Sequence, residues 1–157
     1  MFRGNIIKLC VNIEKTQETL LNCEFYNSIS CSTNLKIFKI RIKLGPNDRN
    51  NNELLEALSL NKSIIDLDLS ENNLDKDNII QVIMQNKYIL QLNLSRISPL
   101  IDEKLMEALL LNTTITLLDI SEDQIEAKII ILLLKCNLQY INLSNAQWNS
   151  KDDCLIG

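Results

Sequence analysis

Three groups of side chains in this sequence have the types and spacing that chemistry needs. Asp66 and Asp68 stand two residues apart, and Asp119 occupies a matching place further along. Carboxylates at alternate strand positions share a face, where they could exchange a proton or hold a cation. Cys10 follows Lys8 by two residues and aligns with Lys39, and neighbouring cations are what turn a thiol into a nucleophile. Lys39 and Arg41 form a third pair, of the charge that meets phosphate.

What the chain lacks narrows these possibilities. It contains 0 histidines, which removes the commonest general base, the Ser-His-Asp and Cys-His arrangements, and most zinc sites. Gly45-Pro46-Asn47 is an isolated turn without the G-x-x-x-x-G-K-[ST] spacing that cradles a phosphate. Calcium would need more oxygen ligands converging than Asp66, Asp68 and Asp119 bring together, so they read as an acidic column facing solvent or a basic partner. Neither a metal nor a cofactor is expected, and no enzyme.

The 5 cysteines (Cys10, Cys23, Cys31, Cys136 and Cys154) are odd in number and never spaced C-x-x-C, as reduced thiols of a cytoplasmic protein would be. A formal charge of -4 opposes both nucleic acid and anionic membrane, and Lys39 with Arg41 lacks the aromatic partners that stack on bases. Lys8, Asn12 and Glu14 interrupt the N-terminal apolar stretch, and no 18-residue apolar run follows, so neither a signal peptide nor a membrane span is expected. With 46% hydrophobic residues but only 3 Gly and 2 Pro, the chain suits a helix-rich aliphatic core better than a sandwich of tight turns.

The elements that must position these residues recur. Inward-pointing pairs appear at Leu9/Val11, Phe38/Ile40, Leu67/Leu69, Leu92/Leu94, Leu118/Ile120 and Ile141/Leu143, at steps of 29, 29, 25, 26 and 23 residues. Between them the apolar spacing becomes helical, at Leu54, Leu55, Leu58; Ile79, Ile80, Ile83; Leu105, Met106, Leu109; and Ile129, Ile130, Leu133. Asn50 with Glu53, Asp77, and Asp102 supply capping chemistry at the helix starts. Asn61, Asn86 and Asn112 stand where a left-handed helix exit would favour them.

The stretch Ile64 to Leu74, IIDLDLSENNL, follows L-x-x-L-x-L-x-x-N-x-L through Ile64, Leu67, Leu69, Asn72 and Leu74. It resembles a leucine-rich repeat, and LLEALSLNKSIIDLDLSENNL is similar to the ribonuclease-inhibitor-like class. The resemblance implies an α/β leucine-rich repeat solenoid of about six units. That fold is a short right-handed horseshoe arc with parallel strands on its concave face and helices on its convex face. It would form one domain over residues 1–157, with two degenerate units in 1–49, the clearest repeats in 50–148, and a tail or truncated unit in 149–157. Glu14 and Lys43 replace the turn asparagine in the first two units, and Ile97, Asp123 and Ala146 replace it in later ones, which predicts uneven repeats. The last unit is expected to be an open edge, to continue in a longer chain, or to be covered by Trp148 and Leu155.

Function in such proteins comes from the concave face, so the resemblance implies a protein–protein interaction module whose partner the sequence does not identify. The outward strand positions supply the candidate contacts Ile37, Lys39, Arg41, Asp66, Asp68, Gln91, Asn93, Leu117, Asp119, Tyr140 and Asn142, with Ser70 also expected to face outward. One alternative is a regulator of a small GTPase acting through Arg96 or Arg41, and another is an enzyme using Cys10. In this register Leu67→Asp should cost several kcal/mol and Asp68→Ala little.

Overall fold

A computed structural model describes residues 6–13, 21–42, 49–97 and 101–149. Glu14, Lys43, the Gly45-Pro46-Asn47 turn, Cys154 and Leu155 lie outside the described residues. Wherever apolar residues alternate with polar ones the chain forms a strand: β1 (Lys8–Ile13), β2 (Ile37–Ile42), β3 (Asp66–Asp68), β4 (Gln91–Asn93), β5 (Leu117–Asp119) and β7 (Tyr140–Asn142). They form one six-stranded sheet in the order β1-β2-β3-β4-β5-β7, every neighbouring pair parallel. Leu9, Phe38, Leu67, Leu92, Leu118 and Ile141 stand side by side across it. That is the register of the expected inward pairs.

Five helices among the described residues carry the crossovers: α1 (Cys23–Ser30), α2 (Arg49–Leu60), α3 (Lys76–Gln85), α4 (Glu103–Leu111) and α5 (Ala127–Leu133). Their apolar sides and the inward face of the sheet form a single aliphatic core, in which Phe38, Leu54, Leu67, Leu69, Leu105, Met106 and Ile129 are fully buried. A mixed α/β chain whose parallel strands follow sequence order results. Parallel sheets are normally covered on both faces. Here the outward strand positions remain half-buried or exposed.

Several details differ from the sequence reading. Helix α1 was not foreseen; Asn22 starts it by accepting the Phe25 amide at 2.9 Å, and it buries Tyr26 and Ile29. Asp102 caps α4 as expected, accepting from the Leu105 amide at 3.1 Å. The cap of α3 is Asp75, which accepts from the Asn78 amide at 3.0 Å, and Asp77 falls within the first turn. Asn50 likewise lies inside α2 rather than before it. Strand β6 (Gln124–Glu126) leads straight into α5 and pairs with β8 (Gln147–Asn149), which sets Trp148 beside Ile125 with its side chain 56% exposed.

The helix exits hold the units together by a different device from a left-handed turn. Asn86 and Asn112 leave α3 and α4 with extended backbone, at φ -77 and -85. Their buried side chains do the work. The Asn86 Nδ2 donates to the Leu58 and Asn61 carbonyls, both at 2.9 Å, and its Oδ1 accepts from the Tyr88 and Ile89 amides at 2.8 and 3.1 Å. Asn112 repeats this on Ile83, Asn86, Thr114 and Ile115, and Asn61 does so on Ile29, Ser32, Ser63 and Ile64. Each asparagine closes its own helix-to-strand connection and grips the unit before it.

Among the described residues a second asparagine serves the strand-to-helix turn once. Buried Asn72 donates to the Ile40, Leu69 and Ser70 carbonyls and accepts from the Ile42 amide at 2.6 Å. Just before it Glu71 sits at φ 60, and Arg96, Glu122 and Asn145 repeat the same left-handed conformation at 59, 62 and 58. Without glycine this costs about 1–2 kcal/mol per residue, so the turn has to be held by its neighbours. The Glu71 and Glu122 amides donate to the Ser95 and Ser144 carbonyls of the following unit, each at 3.0 Å.

Asp123 takes the place of Asn72 in a later unit. Its side chain is 1% exposed, and among the described residues neither carboxyl oxygen is held in a well-formed hydrogen bond, though the Arg96 and Ile97 amides still favour its charged form. Burial pushes its pKa from 3.8 up to about 6, helped by Asp119 and Glu122 and opposed by the Arg96 and Ile97 amides. Because the folded pKa is raised, the neutral acid stabilises the fold fully below about pH 4, and this contribution is lost as pH rises through about 6. Asp123→Asn keeps the shape and can donate as Asn72 does. In urea unfolding its stability advantage over the wild type should widen by about 2–3 kcal/mol between pH 4 and pH 7. A gap that does not change with pH would show that Asp123 is not the group that titrates.

Candidate functional site

The sheet face that no described element covers carries the sequence-derived candidates in three rows, set by strand register. The first row runs Lys8, Ile37, Asp66, Gln91, Leu117, Tyr140, and the second runs Cys10, Lys39, Asp68, Asn93, Asp119, Asn142. Asn12 and Arg41 begin a third row, which the shorter later strands do not continue. All eleven candidates therefore share one face, but the rows do different jobs.

The second row ends the strands. Asp68 Oδ1 accepts from the Ser70 amide at 3.0 Å and the Ser70 hydroxyl at 2.6 Å. Asn93, Asp119 and Asn142 accept from the amides of Ser95, Ser121 and Ser144 at 2.9, 2.9 and 3.1 Å. Such side-chain turns on a backbone two residues on are what Asp and Asn form most readily. Ser70 consequently turns inward and is buried, against the expectation that it faces solvent. The signal was present in the sequence as Asp68-Leu69-Ser70, Asn93-Leu94-Ser95, Asp119-Ile120-Ser121 and Asn142-Leu143-Ser144.

This row also spends its charges internally. Lys39 Nζ lies 3.2 Å from Asp68 Oδ2; that hydrogen bond outweighs the effect of burial and raises the Lys39 pKa above its ordinary value. Burial alone would raise Asp68, but the two Ser70 donors and Lys39 hold it below the usual carboxylate range. Asn142 Nδ2 donates to Asp119 Oδ2 at 3.0 Å. Beyond the strand ends Arg41 pairs with Glu71 at 3.3 Å, and Arg96 bridges Glu71 at 3.0 Å and Glu122 at 2.7 Å. Both arginines of the GTPase reading thus sit in one alternating surface ladder.

The first row has no such duties. Among the described residues the side chains of Asp66, Gln91 and Tyr140 make no hydrogen bond or ion pair, Asp66 acting on Lys39 through its charge alone, and Tyr140 is 57% exposed. Two open hollows flank these rows. One of about 320 Å³ is lined by Cys10, Lys39, Arg41 and Asp68, so Cys10 does lie beside cations, both already held by carboxylates. The other, of about 270 Å³, lies between Asp66, Gln91, Leu117, Asp119 and Tyr140.

Cys10, Cys23, Cys31 and Cys136 are free thiols, and burial raises the pKa of Cys136. Among the described residues no group of three or more Cys, Asp or Glu is placed to hold a metal ion, and no helix is long and apolar enough to cross a membrane. The chain matches no known protein-family model and no curated protein sequence.

The division between rows yields a stability series. Asp68→Ala is expected to lose about 1–2 kcal/mol in chemical denaturation, since it strands the Ser70 amide. This revises the small cost expected from sequence. Asp68→Asn should recover most of that loss because asparagine closes the same turn at 93 and 142, and Asp66→Ala should stay within about 0.5 kcal/mol of wild type. Equal losses at 66 and 68 would contradict the separation of duties.

Proposed function

We propose that this chain is a leucine-rich repeat solenoid of the ribonuclease-inhibitor-like class that binds another protein through its uncovered strand face. Three features support the repeat reading: the 23- to 29-residue steps, the strand–turn–helix units, and the asparagines that recur at the helix exits. The observation that carries the function is a parallel sheet with one face that no described element covers, whose first row holds half-buried Ile37 and Leu117 beside Asp66, Gln91 and Tyr140, the last three without a hydrogen bond or ion pair among the described residues. Aliphatic and aromatic anchors among separated charges are what protein recognition uses, the anchors for affinity and the charges for orientation and on-rate. Nothing in the arrangement favours the GTPase-regulator or cysteine-enzyme readings.

The test is affinity capture at equal protein concentration. A Asp66→Lys, Gln91→Lys, Tyr140→Ala variant is compared with wild type and with Glu107→Lys, an exposed change on α4. A specific partner should be depleted about tenfold or more by the triple variant, as loss of one strong anchor would cause, and retained by Glu107→Lys. Partners captured equally by all three proteins would exclude the strand face.

A further inference from the structure

The hollow of about 270 Å³ on the open face has a chemistry that selects its occupant. Leu117 and Tyr140, adjacent in register, form an apolar and aromatic wall, and Asp66 and Asp119 supply carboxylates around the same space. Lys39 stands at one rim, but Asp68 holds it at 3.2 Å, so that pair is neutral together. Asp119 accepts only from uncharged donors, the Ser121 amide and the Asn142 side chain, and Asp66 makes no ion pair among the described residues. The hollow thus carries two carboxylates that no cation among the described residues pairs with directly, although Lys39 at its rim also feels the charge of Asp66.

Its volume falls just below the roughly 300–1,000 Å³ typical of small-molecule pockets, and it suits one long side chain instead. Among side chains, only a cation on an apolar stem satisfies both the carboxylates and the wall. Arginine does this better than lysine, because its planar guanidinium stacks on a tyrosine ring while forking toward carboxylates. Resting on the reading of this face as a protein-binding surface, we infer that the hollow between Tyr140, Leu117, Gln91, Asp119 and Asp66 receives an arginine side chain of the partner protein. Asp66 and Asp119 orient the guanidinium, Tyr140 stacks on it, and Leu117 covers the stem.

Two natural features of the chain make the test clean. Asn93 and Asn142 close the same turn that Asp119 closes, and Asp66 closes none, so Asp66→Asn with Asp119→Asn removes both charges while keeping the Ser121 turn, at the loss of the Asn142 bond to Asp119 Oδ2. The ¹⁵N-labelled full chain is titrated with acetyl-Gly-Arg-Gly-amide, with its citrulline counterpart of the same shape and no charge, and with acetyl-Gly-Glu-Gly-amide. The arginine peptide should give saturable amide shifts centred on Gln91, Leu117, Asp119 and Tyr140. Citrulline should bind at least about tenfold more weakly, the double variant should lose the response while keeping a native spectrum, and Tyr140→Leu should weaken it severalfold. The inference is overturned by equal binding of citrulline, by an unchanged response in the double variant, by shifts mapping elsewhere, or by no saturable shift with the arginine peptide. Each of these leaves the protein-binding reading standing on the capture experiment, which alone decides it.

Discussion

A buried side-chain amide with two donors and two acceptor sites in the core must be satisfied or it destabilises the fold, and Asn61, Asn86 and Asn112 turn that requirement into the bond between units. Each donates backward to two carbonyls of the preceding unit and accepts two amides of its own connection. The carbonyls at the preceding helix exit would otherwise be orphaned, as would the amides entering the next strand. Since both sets are fixed by one side chain, the distance from helix exit to strand entry is fixed too. Leu67, Leu92 and Leu118 then arrive side by side.

Register on the buried side dictates the open side. Strand positions alternate, so once the inward leucines align, Asp66, Gln91, Leu117 and Tyr140 form one line and Asp68, Asn93, Asp119 and Asn142 another. The second line closes turns that then pass through left-handed Glu71, Arg96, Glu122 and Asn145. At three of these strained positions the side chains compensate by pairing across units, with Arg96 between Glu71 and Glu122. Structural demand is thus concentrated at the strand ends, and the strand beginnings are released for contact with something else.

Much of the architecture was legible in the sequence because it follows from period alone. The inward pairs and the Leu- and Ile-rich helices α2 to α5 were placed from the change in apolar spacing. Helix α1 escaped because its buried faces are Tyr26 and Ile29 within a polar stretch, too few for periodicity to register. The exit asparagines were correctly located but wrongly explained: preference for a left-handed backbone is a property of one residue, whereas four hydrogen bonds to a neighbouring unit exist only after folding. Asp68 and Ser70 show the same limit at the candidate site. Both occupy outward positions of the pattern, and only the turn reveals that one is structural and the other buried.

The most direct measurement compares urea unfolding of Asn86→Ala with that of Asn137→Ala. Both remove an asparagine from the helix-exit series, but Asn86 is buried with four bonds, whereas the side chain of exposed Asn137 makes one bond among the described residues, of 3.0 Å to the Thr113 carbonyl. If buried asparagines hold successive units together, Asn86→Ala should lose about 2–4 kcal/mol and Asn137→Ala less than about 0.5 kcal/mol. Losses equal within about 0.5 kcal/mol would contradict the account and leave aliphatic packing alone to hold the units in register.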